Sequence, residues 1–275
     1  MSSFGGEAID NYGVVRDFPA RSMLTGLIGN ALGLERHDAD ALDALQARLL
    51  HASGLARPGH RSRDYQTARL FENEAGWTTR GAPEGRAKSP SFAWDELYER
   101  ERGVRRKSLT HQRYRDYDAD AVTMVALALD DAPTGPDLDT VRRALERPVR
   151  PLFIGRKACL PSRPILRGRT EAPDPVRALA SAIDDGYLEA DAPIRVQWAM
   201  SRGSDDITLP KRPGQRVVLD DSGTELLATR RTCVSDERRH ASGVHGGERE
   251  VMEGEILNRL PKLPEARPDA PEPVE

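Results

Sequence analysis

Cysteine is nearly absent from this 275-residue chain: Cys159 and Cys233 are the only two. Two thiols cannot build a disulfide framework or a four-ligand zinc site, so the expected compartment is the reducing cytoplasm, with no metal and no cofactor. Long apolar runs are missing too. No window approaches the roughly 18 apolar residues of a membrane helix, and "MSSFGGEAID" lacks the basic and then apolar profile of an export signal. No membrane partner is expected. Apolar residues reach only 38% and aromatic residues 5%, against 31% charged, a balance that suits a loop-rich protein with large partners. The net charge of −3 excludes a protein that is basic throughout.

What the chain does have is an uneven placement of that charge. From Arg142 to Arg169 there are nine Lys/Arg against the single acid Glu146, and from Arg100 to Arg115 seven against Glu101. Either run alone reads as a solvated face; two together weaken that reading.

Periodicity locates the framework. "FPARSMLTGLIGNALGLER" predicts a helix with Ser22 as N-cap, an apolar stripe from Met23 to Leu32, and glycines that let another backbone approach before Gly33 ends it. "ADALDALQARLLHA" predicts a second helix with Asp40 as cap and Leu42, Leu45, Leu49 and Leu50 as its stripe. Between Gly54 and Gln112 the periodicity is lost, which predicts a projecting hairpin or a flexible insertion. "DADAVTMVALALDD" reads as a buried strand and "DLDTVRRALERP" as a short helix started by Asp137 or Asp139. Further on, "PVRALASAIDDG" predicts a helix, "IRVQWAM" and "QRVVLD" strands, and "TELLATRRTCV" either. The tail "PKLPEARPDAPEPVE", with five prolines and four acids, predicts disorder.

Four segments carry candidate chemistry. The helical G-x-x-G-x-x-x-G spacing is wrong for a dinucleotide loop and reads as helix packing. His240 and His245 lie five apart, too far for a helical metal pair, so "HASGVHGGE" is a polar loop or one whose Gly246 and Gly247 amides face a phosphate. "RERGVRRKSLTHQRYRDY" alternates Arg105, Arg106, Lys107 and Arg113 with His111, Tyr114 and Tyr117, as a single-stranded nucleic-acid surface requires: cations hold phosphates and rings stack on bases. The same residues could cleave RNA, with His111 as general acid or base, Tyr114 as its partner and Lys107 on the pentavalent phosphate. A solvated arm is the third reading. In "PLFIGRKACLPSRPIL", Gly155 permits a sharp turn after an apolar strand, and Pro161 and Pro164 stiffen the exit. Arg156 and Lys157 are then either surface charges or a fixed phosphate clamp.

Taken in order, these segments resemble the CasD-type subunit family of the type I-E CRISPR interference complex, Cascade. "FPARSMLTGLIGNALGLER" is similar to the family's F-P-T/A-K/R-S turn and glycine-bearing helix, and "RDYQT" at 63–67 to its D-Y-H-T stretch. "LTHQRYRDYDADAVTMVALAL" is similar to its R-x-Y-L-x-D-A segment, "PLFIGRKACLPSRPIL" to its P-x-Y-L-G-R-R/K-x-C-P loop, and "DITLP" more weakly to a later motif. The resemblance runs from Met1 to about Val251.

The resemblance implies an α+β fold: an RRM-like, ferredoxin-type core over 1–150 with a projecting thumb hairpin inserted at about 68–112. A smaller C-terminal β-rich part over 151–258 and the disordered acidic tail at 259–275 would follow. It implies a non-catalytic subunit that holds the 5′ handle of the guide RNA (crRNA), beside the backbone and large subunits, and meets target DNA only through them. Arg21, Ser22, Arg156 and Lys157 fall on the family's RNA-facing motifs; Arg105, Arg106, Lys107, His111, Arg113, Tyr114 and Arg163 join them as candidate contacts. Type I-C relatives cleave guide precursors, and that alternative would rest on His111, Tyr114 and Lys107. Phe153 stands where the family has Tyr, and Gln66 where it has His. The family also begins with a strand leading into a turn at which "MSSFGG" already lies. A missing central strand predicts unpaired neighbours and a hole in the core, and with them a translational start upstream of Met1.

Overall fold

The computed structural model describes residues 1–6, 13–71, 92–99, 104–132, 134–182, 193–200 and 209–257, with backbone alone at 69–71, 92–99 and 104–111. The expected disordered tail and the "DITLP" match up to Thr208 lie outside the described residues. The elements run β1 (Phe4–Gly5), β2 (Val15–Arg16), α1 (Arg21–Leu32), α2 (Ala39–Arg48), β3 (Leu49–Arg57), β4 (His60–Phe71), β5 (Phe92–Glu99), β6 (Val104–Ala119) and β7 (Val122–Leu129). Then follow α3 (Leu138–Glu146), α4 (Pro175–Ala182), β8 (Ile194–Ala199), β9 (Arg216–Val218), β10 (Glu225–Val234), β11 (Arg238–Arg239), β12 (Val244–His245) and β13 (Arg249–Leu257). No helix among the described residues is long and apolar enough to cross a membrane.

The result is a mixed α/β structure on a six-stranded antiparallel sheet of order β7-β3-β8-β13-β10-β9. Alternation along the strands gives it two apolar faces. On one, Leu49 of β3 and Val125, Leu127 and Leu129 of β7 pack against Leu24 and Ile28 of α1, Leu45 of α2 and Val141 of α3. On the other, Ala52, Val196, Trp198, Leu226, Met252 and Ile256 pack against Val176 and Leu179 of α4. Each fully buried Leu, Ile or Met contributes about 1.5–3 kcal/mol relative to exposure, so these two clusters dominate cohesion in a chain so poor in apolar residues.

Local sequence explains several boundaries. Asp137 caps α3 by accepting the Thr140 amide at 2.7 Å, and Gly33 ends α1 in the left-handed region. Gly29 sits against α2, where a Cβ would lie 2.7 Å from Leu42 Cδ2, so the helix is thinned for a side chain and not for another backbone.

Four expectations need correction. Ser22 is not the cap of α1: the N-cap is Ala20, without a side-chain bond. Its place is taken by Asp236, 215 residues away, which accepts the Arg21 amide on its carboxylate and the Ser22 amide on its carbonyl. Asp40 is not the cap of α2 either, since Asp38 holds that position. The helical stripe through Leu49 and Leu50 ends at Arg48, because those leucines pair with Leu129 and Ala128 as strand. "PLFI" forms no strand. Among the described residues no strand pairs with it, and its backbone bonds are Ser3 N–H to the Ile154 carbonyl and Ile154 N–H to the Cys159 carbonyl.

Among the described residues the sheet ends at β7. β7 was expected to be buried, yet it is an edge strand, and all eight of its residues are half-buried although their side chains serve both cores. Ser2 exchanges two backbone hydrogen bonds with Asp118, just ahead of β7, while Ser3 bonds Ile154. Residues 2 and 3 therefore run between the root of β7 and the "PLFI" segment.

Projecting from the sheet is a second, three-stranded antiparallel sheet of order β4-β6-β5, an arm whose central strand β6 spans 16 residues. At its root, Asp120 adopts a positive φ of 57° and turns the chain into β7.

Candidate nucleic-acid interface

The register of the arm sorts its side chains onto two faces. On one, Tyr65 is paired with Tyr114, Arg63 with Asp116 and Arg61 with Asp118; on the other, Gln66 is paired with Arg113, Asp64 with Arg115 and Ser62 with Tyr117. The first face is internally neutralised. Arg63 donates Nε and Nη2 to the two carboxylate oxygens of Asp116 at 2.7 and 3.0 Å, and Arg61 Nε reaches Asp118 at 2.7 Å. The Arg63 hydrogen bond, against some burial, holds the Asp116 carboxyl below its usual range, helped by the charges of Arg63, Arg61 and Arg156.

A row of cations follows the edge of β6 at the arm's root. Among the described residues β5 pairs with β6 as far as His111, and Ser2 pairs at Asp118. Between those points the carbonyls that a neighbouring strand would bind are taken by side chains. Arg113 Nη1 donates to the Gln112 carbonyl at 3.4 Å and Arg115 Nη1 to the Tyr114 carbonyl at 3.0 Å. The Asp116 carbonyl receives Ser3 Oγ at 2.9 Å and Arg156 Nη1 at 3.5 Å. Alternate carbonyls lie about 7 Å apart along a strand, so three guanidiniums are spaced along one edge. Arg115 and Arg156 converge further: a Cβ on Gly13 would lie 3.1 and 3.0 Å from their respective Nη atoms. Among the described residues no carboxylate forms an ion pair with either.

Arg156 is held there by its loop. Gly155 has φ +89°, and a Cβ on it would lie 1.9 Å from the Ser3 carbonyl oxygen. The Cys159 amide closes onto the Arg156 carbonyl at 2.8 Å, and the guanidinium lies 5.6 Å from the centroid of the buried Tyr117 ring. Lys157, the next residue, is exposed, and so is Arg163. Arg163 also lines an open cleft of about 680 Å³ between α3 and the segment around Pro161 and Pro164.

The structure therefore brings together Arg113, Tyr114 and Arg156, with Lys157 nearby. Arg105, Arg106, Lys107 and His111 lie on the outer length of β6, where their side chains are outside the described residues. Arg21 and Ser22 lie elsewhere, in a polar cluster under α1. Arg21 donates Nη1 to Glu237 at 2.8 Å; buried Asp236 accepts Nε and Nη2 of Arg249. Burial pushes the Asp236 carboxyl up, but the Arg249 hydrogen bonds and charge outweigh it and hold the carboxyl below its usual range. Beside them, burial first and then the charge of Arg249 depress buried His51 to about 3, so its imidazole is neutral. His240 binds Asp43 of α2 at 2.7 Å, and no group of three metal-ligating side chains occurs among the described residues.

Three contributors escaped sequence reasoning: Arg115, Arg63 and Tyr65. Arg115 lies inside the counted basic run and Tyr65 inside "RDYQT". Strand parity over "RYRDY" separates Tyr114 from Tyr117 and was the signal available.

An antiparallel α/β protein with a long strand arm and a cation-lined root is the class these observations define. The family described as CRISPR-associated protein (Cas_Cas5) matches residues 1–251. The CRISPR system Cascade subunit CasD of Escherichia coli (strain K12) is 26% identical over 219 residues, covering 78% of this chain and 89% of that protein. Among solved structures, a chain of a CRISPR RNA-guided surveillance complex superposes with a TM-score of 0.52 at 22% identity, covering 93% of this chain and 86% of that one. A second, a crystal structure of a Cas protein, gives 0.50 at 19% identity, with coverage of 94% and 90%. With its family match spanning most of its length, this chain belongs to the Cas5 family of CRISPR-associated proteins.

Proposed function

We propose that this chain is the CasD-type, RNA-binding subunit of a Cascade interference complex, gripping the repeat-derived 5′ handle of the crRNA without cleaving it. The observation that carries the proposal is the convergence of the Arg115 and Arg156 guanidiniums on the edge of β6 at the arm's root, with Arg113 on the same edge. Fixed cations bind a phosphate backbone without loop ordering to be offset on binding. In this reading, α1 to α3 on β3 and β7 are the RRM-like core and the β4-β6-β5 arm is the thumb. The other Cascade subunits are its protein partners, target DNA is met through them, and the cytoplasm is its compartment.

Cleavage is the weaker reading. Lys107, His111 and Tyr114 are spread over seven positions of one strand, about 23 Å at ~3.3 Å per residue. Positions 107 and 111 share a parity that 114 does not. A catalytic set needs converging groups.

The test is a titration of the full chain with handle RNA at several salt concentrations, together with a metal-free incubation. Arg156→Ala with Lys157→Ala is expected to weaken binding and to lower the salt slope by up to about 0.7 per lost phosphate contact, while Arg36→Ala does neither. Equal effects at both places overturn the defined grip, and cleavage at a unique position overturns the non-catalytic reading.

A further inference from the structure

Tyr65 is half exposed, at 50%, and is the one exposed aromatic side chain among the described residues. It faces Tyr114 across the β4/β6 ladder, ring centroids 5.2 Å apart and planes tilted by 43°. Arg63, two residues earlier on the same face, lies 5.8 Å from the Tyr114 centroid and is held by its two-point pair with Asp116. The pair is thus buttressed at Tyr114 by a fixed guanidinium and presents Tyr65 to solvent. We propose that Tyr65 and Tyr114, with Arg63 behind them, are a stacking platform for one nucleobase of the bound RNA. The inference rests on the RNA-binding reading above and adds to it a base subsite on the opposite face of the arm.

Three features carry it. A cross-strand aromatic pair stabilises a ladder by only about 0.2–1 kcal/mol, and that role is filled by the faces the two rings turn to each other, leaving the outer face of Tyr65 unused. Next, the platform adjoins the cation row: Tyr114 and Arg115 are consecutive in β6 and lie on opposite faces of the arm. A single strand that lays phosphates on Arg115 and Arg156 can turn a base over the edge onto the tyrosines. Finally, the acids on the platform face, Asp116 and Asp118, are each committed to an arginine, so little unpaired negative charge opposes an approaching nucleotide.

The experiment titrates fluorescent 5′-handle RNA with the full chain and its Tyr65→Ala, Tyr65→Leu and Tyr65→Phe variants, all first matched for melting temperature. The RNAs carry an abasic residue at each position in turn. Tyr65→Ala and Tyr65→Leu, which keeps apolar bulk without a flat ring, are expected to weaken binding about ten- to a hundredfold, the size of one base stack, with an unchanged salt slope. Tyr65→Phe keeps wild-type affinity, and one abasic position loses affinity in the wild type but no further in Tyr65→Ala. If Tyr65→Ala and Tyr65→Leu bind like wild type while Arg115→Ala with Arg156→Ala is weakened, the platform is refuted and the RNA grip stands. If the wild-type chain does not bind handle RNA, both fall. If Tyr65→Ala keeps its RNA affinity but no longer associates with the other Cascade subunits, the tyrosines face a protein, and the platform is again refuted.

Discussion

Gly155 and Ser3 meet backbone to backbone, so closely that a Cβ on the glycine would lie 1.9 Å from the Ser3 carbonyl oxygen. With φ at +89°, no other residue type suits the position. Gly155→Ala is expected to cost on the order of 1–3 kcal/mol and to move Arg156 off Tyr117. A lower melting temperature together with weaker handle binding checks this; an unchanged Kd would detach the loop from the site.

His51 sets a pH dependence. Its folded pKa, about 3, lies below the ordinary 6.5, so between those values the unfolded chain binds a proton that the folded chain does not. Stability should therefore fall as pH drops from about 6.5 towards 3. The carboxylates with depressed pKa, Asp236 and Asp116, add their losses only below about pH 4. Urea midpoints at pH 7, 6 and 5 are expected to decline in the wild type and to stay level in His51→Leu.

Asp236 and Arg249 are a buried pair that also fixes the start of α1. Arg249→Met leaves an unpaired buried carboxylate and is expected to destabilise by about 3–5 kcal/mol. Arg231→Met, which breaks an exposed pair with Glu250, should change stability by no more than about 1 kcal/mol. Comparable losses from the two substitutions would mean that the cluster under α1 is not desolvated.

The edge position of β7 makes a fourth stability prediction. Outward-facing alternate amides of Val122–Leu129 should exchange with deuterium much faster than those bonded to β3. A strand of alternating apolar residues fused ahead of Met1 continues the Ser2–Asp118 register onto that edge. It is expected to slow this exchange and raise the melting temperature; no change in either would mean the edge is already satisfied.

Much of the framework was legible because it depends on local signals. Asp137 capping α3, Gly33 ending α1 and the alternation of Ile194, Val196 and Trp198 need nothing beyond their neighbours in sequence. What failed depends on distant partners. Leu49 and Leu50 fit a helical stripe until β7 pairs with them, and Ser22 looks like a cap until Asp236 arrives from the far half of the chain. In the site, the basic run showed that cations gather near Arg113 and Tyr114. Only the register of β4 against β6 shows that Tyr114 faces Tyr65, and only the docking of the distant Gly155 loop shows that Arg156 lies over Tyr117.

The pairing of β3 with β8 ties together residues as remote as Ala52 and Trp198, 146 positions apart. A ribosome adding about 5–20 residues per second needs roughly 7–30 s to cover that distance. Throughout that interval the apolar edge of β3 has emerged and its neighbour has not been made. The nascent protein is thus expected to need shielding by a chaperone, and a synonymous change that slows translation between the two strands should lower its soluble yield without altering a single residue.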